Sequence, residues 1–317
     1  MLQAHAGHAT IADLVGPELR RSVAAPVTLL ATRLADRAGD AAVAVLFYGS
    51  ALREATLDGV LDFYVVLDRA AAWPGGRLAA AANRLLPPNV GYLEEVVDGR
   101  IVRAKYALVT LAQLRHGVQA DALDTTLWTR LSQPCACVHA RSDADWAHVC
   151  DAVARASITA AQWAAALGPR QGDALAYWRA LYACTYQVEL RLESTARHDV
   201  LLAHDPDRYV RLLPEAWRAG GIAFDTEAGG TLRPHLARAE RAAALRRWQR
   251  RKRLGRPLNV LRLLKAAFTF DGAMDYVAWK VERHTGTRLE LRPWQRRFPL
   301  LAAPGLYYRL RQRGLLR

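Results

Sequence analysis

The sequence predicts an α+β protein, and three observations carry that prediction. Two apolar runs, "AAVAVLFYG" (41–49) and "VLDFYVVLD" (60–68), have the length and β-branched content of buried strands. A second pair, "VGYLEEVV" (90–97) and "RIVRAKYALVTL" (100–111), flanks Asp98-Gly99, a dipeptide that suits a tight hairpin. Beyond residue 140 strand signals fade, and apolar residues recur at three- and four-residue intervals instead.

Taken in order, residues 9–38 read as helical, followed by the strands at 41–49 and 60–68. A helix over 76–86 stops at Pro87-Pro88, and the hairpin over 90–111 follows. Helices at 111–118 and 121–131 precede a short strand, "CACVHA" (135–140). Long helices are expected over 143–167 and 171–195, a third at "DRYVRLLPEAW" (207–217), then a glycine-rich loop, "AGGIAFDTEAGGTLRP" (219–234). The expected organisation is a mixed-sheet domain over 1–140, a mainly helical domain over 141–237 and a basic amphipathic segment over 238–317.

Composition bounds the function. The 317 residues are 52% hydrophobic and 23% charged, as in a globular protein. The four cysteines, Cys135, Cys137, Cys150 and Cys184, lack zinc-site spacing and read as reduced thiols of a cytosol-like compartment. No apolar run reaches the roughly 18 residues of a membrane span, and the amino terminus lacks the pattern of a signal peptide. The net charge of +14 is concentrated: residues 238–317 hold 21 Lys/Arg against 5 Asp/Glu, while the first 237 residues are nearly neutral. A localised basic segment points to a polyanionic partner, either nucleic acid or an anionic membrane. Within it, "RRWQRRKRLGRP" (246–257) leads into a stretch where Leu261, Leu264, Ala267, Phe268 and Phe270 suit an interface, with Arg262 and Lys265 placed for headgroups.

The most informative stretch is the turn between the first two strands. Glycine at a strand end admits close approach of a ligand, and Ser50 adds a hydroxyl donor. Strand alternation puts Asp62, Tyr64, Val66 and Asp68 on one face and Leu61, Phe63, Val65 and Leu67 on the other. A carboxylate within such a strand needs a partner or a metal, because burying a lone charge is costly. Lys105, among Val102, Tyr106 and Leu108, likewise calls for an anionic partner, either a phosphate or a strand-edge carboxylate. Asp68 reads first as a strand-end cap, since it lies about 20 Å along the strand from Asp62. Trp178, Tyr182 and Tyr186, spaced by four, read as helix core.

Gly-Ser, a spacer, then Asp on a strand resembles the signature of the nucleotidyltransferase superfamily related to DNA polymerase beta. Tyr64 stands where that signature usually has its second acid. The wider pattern is similar to the mitochondrial-type phosphatidate cytidylyltransferase family, also called the translocator assembly and maintenance family. The matching runs are Tyr48-Gly49-Ser50; Leu61-Asp62-Phe63 with Asp68 and Trp73; Gly91-Tyr92; Lys105-Tyr106-Ala107-Leu108-Val109; Trp128 to Pro134; and Tyr186 to Arg191. The chain departs from the family at Ala107, at Gln133, at the lost Ala-Gly before Arg130, and at Val188-Glu189 where the family has Gly-Asp.

The resemblance implies a polymerase-beta-like nucleotidyltransferase domain, a mixed sheet with flanking helices, that joins CTP to phosphatidic acid. Its products are CDP-diacylglycerol and pyrophosphate. It implies that Tyr48, Gly49, Ser50, Lys105, Arg130 and Arg191 contact the nucleotide, that Asp62 and Lys105 are catalytic, and that Asp62 with Glu189 holds Mg²⁺. A peripheral protein on the cytoplasmic face of a bacterial inner membrane follows (the matrix face if mitochondrial), bound through residues 238–317. Two other readings stay open from the residues: transfer of a nucleotidyl group to RNA, protein or another small acceptor, and non-catalytic nucleic-acid binding on a degenerate transferase scaffold.

Overall fold

The computed structural model describes residues 2–188, 196–286, 289–298, 301–302 and 304–305. Its strands are β1 (Ala42–Tyr48), β2 (Val60–Leu67), β3 (Asn89–Val97), β4 (Arg100–Thr110), β5 (Cys135–Ala140), β6 (Phe224–Thr226) and β7 (Leu232–Pro234). Its helices are α1 (Leu2–Leu19), α2 (Ala25–Ala38), α3 (Ser50–Glu54), α4 (Gly76–Leu85), α5 (Leu111–Gly117), α6 (Thr126–Leu131), α7 (Asp143–Leu167), α8 (Ala174–Val188), α9 (Ala196–Ala203), α10 (Pro206–Ala219), α11 (Arg238–Thr269), α12 (Ala273–Thr285) and α13 (Pro293–Arg297). The fold is α+β: a five-stranded mixed sheet, ordered β3-β4-β2-β1-β5, flanked by helices.

β1 and β2 are antiparallel, β2 and β4 parallel, and β3 and β4 form the expected hairpin. At its turn Asp98 and Gly99 both adopt positive φ, 51° and 74°, the backbone that a two-residue hairpin connection requires. Both faces of the sheet are covered. Val45, Phe47, Leu61, Phe63, Val65 and Leu67 pack against Val27, Leu30 and Leu34 of α2. On the opposite face, Val43, Leu46, Tyr64, Val66 and Val109 pack with α1, α7, α8 and α10. Sixteen of the 25 residues of α7 are buried, nine of them alanine or serine, and such small side chains let helix backbones approach closely. Arg208 of α10, almost fully buried, donates to the Glu18 carboxylate of α1 at 2.8 Å and to the Ser132 carbonyl at 3.0 Å.

Several local expectations change. The helical stretch 9–38 divides into two helices, broken before Pro26, which sits in the first turn of α2. The glycine-rich loop holds a small antiparallel pair, β6 with β7, whose three-residue strands are too short to show a period. Helix α6 starts at Thr126, because Asp124 accepts from the Thr126 amide at 3.1 Å and so holds the preceding residues in a turn.

The basic segment is built into the body. Trp248 of α11 lies between Trp163 and Trp128, with ring centroids at 5.3 and 6.4 Å. Arg262 pairs with Asp124 at 2.6 Å and donates to the Pro87 carbonyl. Lys265 donates to the Leu86 and Pro88 carbonyls and to Asn89 Oδ1. These two cations, expected at lipid headgroups, are therefore committed to the α4–β3 loop, whose carbonyls need donors. Asp271 then bridges to the sheet edge: its carbonyl accepts from the Tyr92 amide at 2.8 Å, and its carboxylate accepts from Arg37 at 2.7 Å and Tyr106 at 2.8 Å. Among the described residues no helix is long and apolar enough to cross a membrane.

Candidate active site

Strand register brings the site together. Tyr48 pairs with Asp62, Asp62 with Lys105, and Lys105 with Tyr92, while Cys135 pairs with Tyr48 on the other side. Directly paired residues point to the same face, so these side chains form one rung across the sheet. It is the last rung of β1, at the rim of the helix-covered face. Two residues deeper Tyr64 is fully buried, whereas Asp62 and Lys105 are only half-buried and reach the surface. The same alternation thus makes one position core and its neighbour a rim carboxylate.

Gly49 and Ser50 stand directly above Asp62. Gly49 has φ 97° and ψ −165°, a conformation open essentially to glycine alone. A Cβ there would fall 3.1 Å from Asp62 Oδ2, so the carboxylate occupies space that any side chain at 49 would contest. Ser50 begins α3 with its side chain half-buried. The acid of the second strand therefore faces the glycine-serine corner.

Arg130, from the last turn of α6, donates through Nη1 to the Tyr48 hydroxyl at 2.9 Å and lies over that ring, 5.6 Å from its centroid. Burial pushes the Tyr48 hydroxyl up, Arg130 opposes this, and the Asp62 charge adds to it, so Tyr48 stays a neutral phenol. Tyr48 stacks on Tyr64 at 4.8 Å. Tyr64, standing where a second acid is usual in the resembling family, is thereby a packing residue. Arg53 donates to Gln133 at 3.4 Å. Asp68, at the far end of β2, forms an ion pair with Arg141 at 2.5 Å, and Asp145 binds the same guanidinium at 2.8 Å. That closed network gives Asp68 the strand-end role and removes it from the rim.

A residue not singled out from the sequence completes the rim. Tyr276 of α12 lies edge-on to Tyr92, with centroids 5.4 Å apart, and Lys105 Nζ is 5.7 Å from its ring centroid, within cation–π reach. Burial, and then the charge of Asp62, raise its pKa. The available signal was the aromatic spacing of Phe270, Tyr276 and Trp279, which amphipathicity alone assigns to any apolar surface. Glu189 and Arg191, expected as a metal ligand and a phosphate ligand, lie outside the described residues.

Among the described residues no group of three or more His, Cys, Asp or Glu side chains is gathered for a metal. Mg²⁺ does not require one, since it binds through one or two carboxylates together with substrate phosphates and water. A rim carboxylate beside a side-chain-free turn, with a lysine on the next strand, suits that mode. Asp62 would be the protein ligand, and the bound ion would neutralise triphosphate charge.

Comparison with protein-family models returned no match, and comparison with curated proteins returned none of significant similarity.

Proposed function

We propose that the chain is a polymerase-beta-like nucleotidyltransferase that transfers a cytidylyl group from CTP to phosphatidic acid, releasing pyrophosphate, at a membrane surface. The observation that carries this reading is the Asp62 carboxylate lying over Gly49, where a Cβ would come within 3.1 Å of Oδ2, on a rung shared with Lys105. In the reaction an oxygen of the lipid phosphate attacks the α-phosphorus and the bond to the β-phosphate breaks. The attacking group is already ionised at neutral pH, so positioning and charge neutralisation dominate. Gly49 admits the triphosphate to the backbone, Ser50 offers a hydroxyl, and Lys105 supplies a point charge to the phosphates. Arg130 holds Tyr48 and with it the floor beneath Asp62. Glu189 and Arg191 remain the proposed second metal ligand and phosphate clamp on the strength of the resemblance.

The carboxyl-terminal half of α11 supports the membrane part. Val260, Leu261, Leu263, Leu264 and Phe268 are exposed, Leu263 at 70% and Phe268 at 79%, on the helix that carries exposed Arg246, Arg250, Arg253 and Arg256. An apolar face next to arginines suits a helix lying in the headgroup layer of an anionic leaflet, here the cytoplasmic face of a bacterial inner membrane. A second reading, nucleic-acid binding on a degenerate transferase scaffold, draws on the same arginines and on Tyr64 in the place of an acid. The deciding experiment measures Mg²⁺-dependent pyrophosphate release from CTP with phosphatidic acid vesicles, and with RNA in their place. Release only with phosphatidic acid is expected; release with RNA alone, or with neither, overturns the lipid assignment.

A further inference from the structure

The amino-terminal half of α11 presents a second cationic feature that shares no residue with the Asp62 rim. A cleft of about 410 Å³ is lined by Arg247, Arg250 and Arg251 of α11 together with Asp121 and Leu123 of the α5–α6 loop. Arg251 is only 4% exposed. Its Nε donates to the Ala122 carbonyl at 2.9 Å and its Nη2 to the Ala120 carbonyl at 2.6 Å, while the guanidinium stacks 4.2 Å from the Trp163 ring. Nη1 is buried without an acceptor.

Three arginines thus face a single lining carboxylate. Among the described residues neither Arg247 nor Arg250 forms an ion pair, and no carboxylate hydrogen-bonds Arg251. A buried guanidinium with an unfilled donor, beside two like charges, is a costly arrangement unless an anion joins it. Burial lowers the Arg251 pKa to about 10, Asp121 opposes it, and the smaller effect of Arg247 adds to the lowering.

We propose that this cleft binds a phosphomonoester, whose oxygens accept from Arg247 and Arg250 over the buried charge of Arg251. Planar guanidinium forks match phosphate geometry, and several can share one dianion. Arg247 and Asp121 also line an adjoining cleft of about 320 Å³, whose wall includes Trp163, Ile222, Leu236 and Ala244. That slot is apolar on this wall, with Gln162, Glu240 and Arg241 also lining it, and is of a size that holds a small hydrocarbon group. A phosphate carrying an apolar substituent therefore fits the pair of clefts better than a bare anion does. The site does not depend on the nucleotidyltransferase reading, and either can fail alone.

The test is calorimetric titration of the full chain with inorganic phosphate and, separately, with a soluble short-chain phosphatidic acid. Arg247→Ala/Arg250→Ala should weaken both ligands tenfold or more, and Asp121→Asn should tighten them. The control is Arg77→Ala/Arg84→Ala, which removes the same charge from exposed positions of α4, outside this cleft and outside the membrane-facing helix. It should change affinity by less than twofold. Tighter binding of the lipid than of phosphate assigns a lipid headgroup with its tail in the slot, and equal binding assigns a free phosphate. No measurable binding of either, or equal loss in both double variants, overturns the proposal. All three variants alter exposed side chains, and an unchanged melting midpoint verifies the fold.

Discussion

Gly49→Ala isolates the corner on which the catalytic account rests. Two costs follow from the geometry. The backbone at φ 97°, ψ −165° is nearly closed to other residues and costs about 1–3 kcal/mol in stability. The new Cβ would lie 3.1 Å from Asp62 Oδ2, so the carboxylate must retreat by a few tenths of an ångström. Misplacing a reacting group by 1 Å can cost about a hundredfold in rate, so half that displacement costs about tenfold. Gly99→Ala is the matched control. It also has positive φ, 74°, but a Cβ there meets nothing within 4 Å, and the cost is backbone strain of about 1–2 kcal/mol. Pyrophosphate release and thermal melting, measured on both variants, separate the effects. Both should melt a few degrees lower, and only Gly49→Ala should lose turnover. Full turnover in Gly49→Ala, or equal loss in Gly99→Ala, would refute the reasoning.

Asp271→Ala removes the acceptor for Arg37 and Tyr106 and should loosen α12 over the rim, at about 1–3 kcal/mol for hydrogen bonds to a charged group. Amide exchange should rise in α12 before it rises in the sheet, and uniform protection would count against the latch. Burial pushes the Cys135 and Cys137 thiols up to about 12, so in the folded protein at pH 8 their thiolates are about a thousandfold scarcer than at the ordinary value. A thiol reagent should modify them only on unfolding. Because the folded state holds these protons more tightly, their contribution is intact below pH 9 and lost as pH rises from 9 towards 12, which a series of melts would register. Replacing Leu261, Leu264 and Phe268 together by serine should abolish flotation with anionic vesicles while leaving the melting midpoint within a few degrees, since all three are exposed. Undiminished flotation would remove this face from the membrane account.

Much of the rim could be read before any coordinates. The run 60–68 reads as a strand, whose geometry puts Asp62 on the face of Tyr64, and glycine at 49 ended the neighbouring strand. The pairing of Asp62 with Lys105 could not be read. It depends on β4 entering parallel to β2 after the hairpin has turned, a matter of register across more than 40 residues. Tyr276 was less accessible still, because it arrives from the far end of the chain and the Asp271 bridge to β3 brings it beside Lys105. The basic segment shows the limit of helical periodicity. It predicts an amphipathic stretch, but Arg262 and Lys265 lie on the flank that the α4–β3 loop claims, and nothing local distinguishes that flank from the one left to solvent. Residues 224–234 hid a hairpin whose strands are too short to show a period.

The most direct measurement compares Asp62→Asn with the unaltered chain in Mg²⁺-dependent pyrophosphate release from CTP with phosphatidic acid. Asparagine keeps the shape and the place over Gly49 but removes the charge that would hold the ion, so turnover should fall by at least a hundredfold with melting little changed. An Asp62→Asn protein that turns over as fast as the unaltered chain would contradict the account at its centre.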